Sequence, residues 1–239
     1  MNRAPKLITG RIYAPDGTAT DFDDNIIGNN RTAALVVNDI TEHIEAAWVS
    51  RVLSQPIGTA NFAPSRFGNN FAGKTVDSFS TAKSNDIRRH NGNMYVNDAG
   101  INFIDQSFVL QDFETNLKPT LKDVIQRDWL IANLRAATRT FFGTASDTPY
   151  TDESINLLAD QWRTVLNLAG NRGIIPLATT PSQIAASDSS YRYSIDTPTR
   201  AEVETNSPLD IEQRVLKNVR IAFTEAKSFG IVQVDVVFF

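Results

Sequence analysis

The chain has 239 residues, of which 41% are hydrophobic and 21% charged, as in ordinary soluble globular proteins. Its formal net charge of −4 argues against a nucleic-acid partner, because nucleic-acid binders usually carry a basic face and no basic run here exceeds Arg88-Arg89. The lack of cysteine excludes disulfides and thiol chemistry and is compatible with a reducing cytoplasm.

The first residues, MNRAPKLITGRIY, lack the apolar core of a signal peptide. No apolar run approaches the roughly 20 residues that a membrane span needs. We therefore expect a soluble protein that is neither exported by the usual route nor embedded in a membrane. Residues 1–30 are predicted to form an extended N-terminal arm, and residues 31–239 a single α+β domain.

Three elements are predicted in the first half of this domain. The apolar run AALVV at 33–37 is typical of a short buried strand. Thr41 is predicted to cap a helix whose apolar stripe contains Trp48 and which ends before Pro56. The segments MYV and INFID, separated by a turn at 98–100, predict a β-hairpin.

Two long helices are predicted next. Thr120 and Asp123 form a capping box that opens the first helix, which Gly143 ends. Thr151 caps the second, whose apolar residues recur at helical spacing as far as Gly173. Both are predicted to pack on a mixed sheet, which gives an α+β fold. The tryptophans fall on apolar stripes and are predicted core anchors: Trp48, Trp129 and Trp162.

The C-terminal part is predicted to be β-structure. YRYSI at 191–195 is strand-like, and Val219, Ile221 and Phe223 alternate with polar residues. In the closing segment, IVQVDVVFF at 231–239, every second residue is apolar on one face. We expect a C-terminal β-hairpin between 214–224 and 231–239, compatible with an edge that stays open to another copy.

The segment GNNFAGKT at 68–75 matches the phosphate-binding pattern G-x-x-x-x-G-K-[ST]. Such loops follow a buried strand and open a helix, so that backbone N–H groups surround the phosphates. Here NFAPSRF precedes the loop in place of a core strand, although a helix from about Val76 is conceivable. The favoured interpretation is a chance match. A nucleotide-binding enzyme remains the alternative, and it would use four residues: Gly68, Gly73, Lys74 and Thr75.

Other chemistry has less support. His43 and His90 lack a partner at metal-ligand spacing, so no metal site is predicted. The acidic cluster of Asp21, Asp23 and Asp24 lacks the glycine turn and terminal glutamate of a calcium loop. We expect no cofactor, no catalytic residue and no enzymatic activity.

Several segments carry a resemblance to a known family: AAWVSRVLSQPIGTANFA (46–63), FAGKT (71–75), NGNMYVNDAGINF (91–103), RDWLIANLRAATRTFF (127–142) and TPYTDESINLLADQWRTVLNLAGNRGII (148–175). RVLKNVRIAF (214–223) and FGIVQVDVVFF (229–239) continue it to the end of the chain. Together they resemble the tail sheath proteins of contractile bacteriophages. Sheath subunits are commonly longer, and the resemblance covers only their C-terminal portion.

The resemblance implies a structural subunit of the virion tail, assembled in the host cytoplasm. Sheath subunits form stacked six-fold rings around a tail tube, contact baseplate proteins, and contract to drive genome delivery. They add terminal strands to sheets of their neighbours, and in this family FAGKT falls in a loop. Another tail protein, a tube or adaptor component, is a further alternative. The implied self-assembly strand contains Ile231, Val232, Val234, Val236 and Phe238.

Overall fold

The computed structural model describes residues 33–37, 42–57, 71, 73–89, 91–98, 100–105, 120–144 and 148–226. The predicted arm over 1–30 and the predicted strand over 231–239 lie outside these residues. The described residues up to Ile125 form one compact unit, and those from Gln126 onward form a second.

The first unit contains a three-stranded sheet and two helices that precede the long helix α3. Its elements are β1 (Leu35–Val36), α1 (Ile44–Leu53), α2 (Thr81–Arg89), β2 (Asn93–Asp98) and β3 (Ile101–Ile104), and α3 (Leu121–Thr144) begins in it. Strand β1 pairs in parallel with β2, which pairs antiparallel with β3. The predicted mixed sheet and the hairpin turning at Gly100, where φ is 82°, are therefore confirmed.

Strand β1 is buried on both faces, which explains its continuous apolar sequence. One face joins the cluster of Leu35 with Trp48, Tyr95 and Ile104, and the other packs Val36 and its neighbours against Met94. Trp48 is fully buried, as predicted for a core anchor.

Helix α1 begins without the predicted cap. Its first residue, Ile44, follows His43, whose φ of 50° lies in the left-handed region and whose side chain makes no capping bond. The predicted cap, Thr41, lies outside the described residues.

The second unit contains most of α3 and six further elements: α4 (Asp152–Asn171), α5 (Pro181–Ala185), β4 (Tyr193–Asp196), α6 (Arg200–Asn206), α7 (Pro208–Glu212) and β5 (Arg220–Phe223). Strands β4 and β5 pair antiparallel. Both long helices contribute to the apolar cluster under this pair, through Leu130 of α3 and Leu166 of α4. The α+β fold class is confirmed, and the described partner of β5 is β4.

The caps of the long helices form as predicted. Thr120 Oγ1 accepts from the Asp123 N–H at 3.2 Å, and the Asp123 carboxylate accepts from the Thr120 N–H at 3.0 Å. Thr151 Oγ1 accepts from the Ser154 N–H at 3.3 Å. Helix α3 continues one residue beyond Gly143, the residue predicted to end it.

Candidate functional site

The β4–β5 pair places four apolar side chains on the long helices. Tyr193 lies opposite Phe223 and Ile195 lies opposite Ile221, and all four belong to the apolar cluster that also contains residues of α3 and α4. The predicted alternation of residues 219–223 is thereby confirmed, since Val219 also packs with this side of the unit.

The outer edge of β4 is occupied by the preceding loop. The Asp188 N–H donates to the Tyr193 carbonyl at 3.0 Å, and the Ile195 N–H donates to Asp188 Oδ2 at 2.6 Å. Backbone groups of successive residues in an antiparallel strand point to opposite sides. The groups of Tyr193 and Ile195 therefore point away from β5. The Tyr193 carbonyl and the Ile195 N–H bond to Asp188, and the Tyr193 N–H donates to the Tyr191 carbonyl at 2.9 Å.

The outer edge of β5 is open within the described part of the chain. Ile221 and Phe223 lie opposite Ile195 and Tyr193, so their N–H and C=O groups also point out of the pair. No described residue bonds to these groups. Their side chains remain partly exposed despite belonging to the core cluster. An unpaired edge over apolar residues is a template for a further strand.

The chain leaving β5 is anchored at three successive residues. The Thr224 N–H donates to the Arg192 carbonyl at 3.0 Å, and the Ala226 N–H donates to the Ile174 carbonyl at 2.8 Å. Between them, the Glu225 carboxylate accepts two bonds from Arg127, at 2.5 and 2.9 Å. These contacts fix β5 at its C-terminal end, so the open edge is held in one position.

The apolar alternation at 219–223 predicts β5 but not which of its edges stays open. The answer depends on Asp188, which lies seven residues before the backbone N–H that it accepts from. No pattern in the polar stretch around Asp188 indicates that this residue bonds to the edge of a strand. The predicted self-assembly strand, Ile231 to Phe238, lies outside the described residues.

The phosphate-loop residues have partners within the protein. Gly68 lies outside the described residues, and Gly73 has a φ of 74°. The Thr75 N–H and hydroxyl donate to the two carboxylate oxygens of Glu42, each at 2.7 Å, and Lys74 Nζ donates to the Glu42 carbonyl. Residues 74–80 are not helical, and α2 begins only at Thr81. The Glu42 carboxylate thus already accepts the hydrogen bonds from the Thr75 N–H and hydroxyl that a bound phosphate would need.

No metal site emerges from the described ranges. His43 lies 3.4 Å from Glu45, and within those ranges no three His, Asp or Glu side chains gather as metal ligands. His90 and the cluster of Asp21, Asp23 and Asp24 lie outside them. Within the same ranges, no helix combines the length and apolarity needed to cross a bilayer.

A cavity of about 540 Å³ lies in the second unit, between the end of α3, the start of α4 and the segment after α7. Its wall includes Phe142, Tyr150 and Arg214. Burial, and to a smaller extent the charge of Asp210, raises the pKa of Tyr150. Asp210 itself is buried and paired with Lys217 at 2.5 Å. The polar part of the wall is supplied by Thr148, Tyr150, Ser154 and Arg214, and the rest of it is apolar.

No protein-family model matches the chain, and no curated protein matches it. Among solved structures, the fold matches a chain in the cryo-EM structure of the anti-feeding prophage baseplate, six-fold symmetrised. The TM-score is 0.59 and the sequence identity 10%, over 88% of this chain. This chain spans 55% of the length of that one. The protein therefore shares the fold of a chain that is found in a phage-like baseplate structure.

Proposed function

We propose that the protein is a structural subunit of a contractile tail sheath, without catalytic activity or a cofactor. The open edge of β5 is the observation that carries this proposal, because it offers a site for strand exchange between copies. The fold shared with a chain of the anti-feeding prophage baseplate structure supports a place in a tail-like particle. The sheath-like segments of the sequence support the more specific role.

In this proposal, residues 231–239 of one copy pair with the β5 edge of the next. Each added inter-strand hydrogen bond contributes roughly 0.5–1.5 kcal/mol net. Each buried Val or Phe side chain adds roughly 1.5–3 kcal/mol. Such a link survives rigid-body rotation of whole subunits, so an extended lattice of stacked six-fold rings can contract around a tail tube without losing its connections.

A second structural role is favoured by a specific observation. The matched structure is a baseplate, so a baseplate-proximal adaptor is the alternative. In either role the partners are other copies of the chain together with tube and baseplate proteins, and the location is the tail of a virion or a related particle.

The proposal is tested by blocking the β5 edge. Ile221→Pro removes an N–H that points out of the pair, whereas Ala222→Pro removes one that points toward β4. Because Ile221→Pro also loses part of its packing in the apolar cluster, we expect it to lower the melting temperature, but less than Ala222→Pro, which in addition breaks a bond of the β4–β5 ladder. At temperatures where both variants are folded, Ile221→Pro should have lost assembly. Electron microscopy and sedimentation at high concentration distinguish sheath-diameter rings or tubes from thin tubes and monomers.

Two results would contradict the proposal. One is a wild-type protein that stays monomeric at every concentration. The other is an Ile221→Pro variant that polymerises like wild type. Deleting 231–239 is expected to abolish assembly as well, because it removes the proposed donor strand.

A further inference from the structure

The cavity of about 540 Å³ in the second unit has an apolar inner wall. Ile155 and Leu158 are buried there, and Leu158 packs with Phe141 and Leu216 in the cluster that also contains Trp162. Cavities of this size with mostly apolar walls and a few polar groups are typical of sites for small organic molecules. The polar groups of the wall therefore indicate which class of molecule would fit.

Aromatic rings supply much of the apolar wall. The rings of Phe141 and Phe142 are arranged edge to face, with their centroids 5.3 Å apart, and Tyr150 lies on the same wall. Phe142 is 56% exposed, so its ring offers apolar area that no other described side chain covers fully. Aromatic side chains favour stacked or edge-to-face contacts with another ring. A ligand with an aromatic ring would match this wall.

Arg214 gives the cavity its charge. Among the described residues of the wall it is the only charged one, and its guanidinium forms no ion pair or hydrogen bond with a described residue. The carboxylate of Asp210, four positions earlier, pairs with Lys217 at 2.5 Å. A guanidinium group donates two parallel hydrogen bonds to a carboxylate, so the wall is complementary to a ligand with that group.

The backbone holds Arg214 in a conformation that favours glycine, with a φ of 56°. Its N–H donates to the Ile211 carbonyl at 3.1 Å, and the Val215 N–H donates to the Asp210 carbonyl at 2.8 Å. These are the two bonds of a Schellman motif at the end of α7, where glycine is the usual residue. Arginine strains the backbone here, and such strain concentrates at binding sites.

We propose that this cavity binds a small aromatic carboxylate, whose ring packs against Phe142 and whose carboxylate pairs with Arg214. The ring contact accounts for the exposed phenylalanine, and the ion pair accounts for an arginine at a position where glycine would be more stable. No residue of β5 lies on the described wall, so this site is tested independently of the edge proposed for assembly.

Two probes that differ in a single group test the charge contact. Indoleacetate carries a carboxylate, and indoleacetamide has the same ring system without the charge. Titration calorimetry with the full-length chain should give a Kd for indoleacetate that is about tenfold lower, as expected for a charge-assisted contact. Equal affinities for the two probes, or no binding of either at millimolar concentration, would overturn the proposal.

Arg214→Gly separates ligand recognition from folding. Glycine relieves the left-handed backbone, so the variant should keep or raise the melting temperature. Its affinity for indoleacetate should fall about tenfold, to that of indoleacetamide. A variant that binds indoleacetate as tightly as wild type would show that the carboxylate does not meet Arg214, and the proposal would be wrong.

Asn218→Gly is the matched control for the backbone change. Asn218 also has a left-handed φ, of 59°, and it is not among the residues of the wall. We expect this variant to leave the affinities for both probes unchanged. A tenfold loss of indoleacetate binding here would mean that the effect of Arg214→Gly comes from the backbone and would overturn the charge contact.

Phe142→Ala tests the ring contact. It removes apolar area and no charge, so both probes should bind about fivefold more weakly, the usual size for an aromatic pair. The side chain is 56% exposed, and we therefore expect the variant to fold. Unchanged binding of both probes in this variant would place the ligand outside the cavity and contradict the proposal.

Discussion

The ring of Tyr191 lies directly on Gly170 of α4. A Cβ atom built at position 170 would stand 2.5 Å from ring carbons Cδ1 and Cδ2, and the ring is held in place by a bond from its hydroxyl to Asn171. Only glycine allows this approach between α4 and the segment that leads into β4.

We predict that Gly170→Ala destabilises the protein by about 1–2 kcal/mol. Overpacking costs roughly 1–3 kcal/mol, and the better helix propensity of alanine returns at most about 1 kcal/mol. Gly143→Ala is the matched control, because a Cβ there meets no atom within 4 Å. Urea denaturation should show a lower midpoint for the first variant and an equal or higher one for the second.

The Trp162–Thr138 bond provides a second test of the helix pair. Trp162 Nε1 donates to Thr138 Oγ1 at 2.8 Å, and the tryptophan is 8% exposed. Thr138→Val keeps the volume but leaves the indole N–H without an acceptor, so we expect a loss of about 1–3 kcal/mol. Thr144→Val, at the exposed end of the same helix, should cost under about 0.5 kcal/mol. Equal losses for both variants, measured by thermal unfolding, would contradict this account.

The Glu42–Thr75 contact leads to a prediction about nucleotide binding. Because Glu42 already accepts from the Thr75 N–H and hydroxyl, we expect Mg-ATP to produce no heat in titration calorimetry and no rise in melting temperature. Thr75→Ala should instead lower stability by about 0.5–1.5 kcal/mol through the lost bond. Saturable Mg-ATP binding that disappears in Lys74→Ala would establish the enzyme alternative.

The cap of α6 is predicted to respond to acid. The bond from the Thr199 N–H, at 2.7 Å, is the main cause that lowers the pKa of Glu202 below its usual value. A carboxyl group whose pKa is lower in the folded state stabilises that state above its unfolded pKa, and this contribution disappears as pH falls through the folded value. Glu202→Gln retains the capping box without the charge.

Wild type should therefore be more stable than Glu202→Gln at neutral pH, and the difference should vanish between about pH 5 and about pH 3. Hydrogen exchange of the α6 amides at several pH values measures it locally. A difference that is constant across this range would show that the charge of Glu202 does not contribute.

Local signals in the sequence predicted much of this fold. The caps at Thr120 and Thr151 located both long helices, the turn at 98–100 located the β2–β3 hairpin, and apolar alternation located β5. These features depend on residues that are close together in the sequence, because local sterics and helix capping determine them. The α+β class followed from them.

The remaining features depend on contacts that local patterns do not encode. Glu42 and Thr75 are 33 positions apart in the sequence. Only their contact in the folded protein shows what the segment GNNFAGKT binds within the chain. The bonds between Asp188 and the outer edge of β4 likewise form only when the preceding loop is folded. The candidate edge could therefore be recognised only once the pairing partner of β5 was known.

The anchors after β5 also determine how the protein would carry tension. A pull on the chain beyond residue 226 first loads the Ala226–Ile174 bond and the Glu225–Arg127 pair. Arg127 belongs to α3, so force would pass into a helix 24 residues long before it could peel β5 from β4. A load applied at this end of the chain would thus reach the long helix before it reached the hydrogen bonds between β4 and β5.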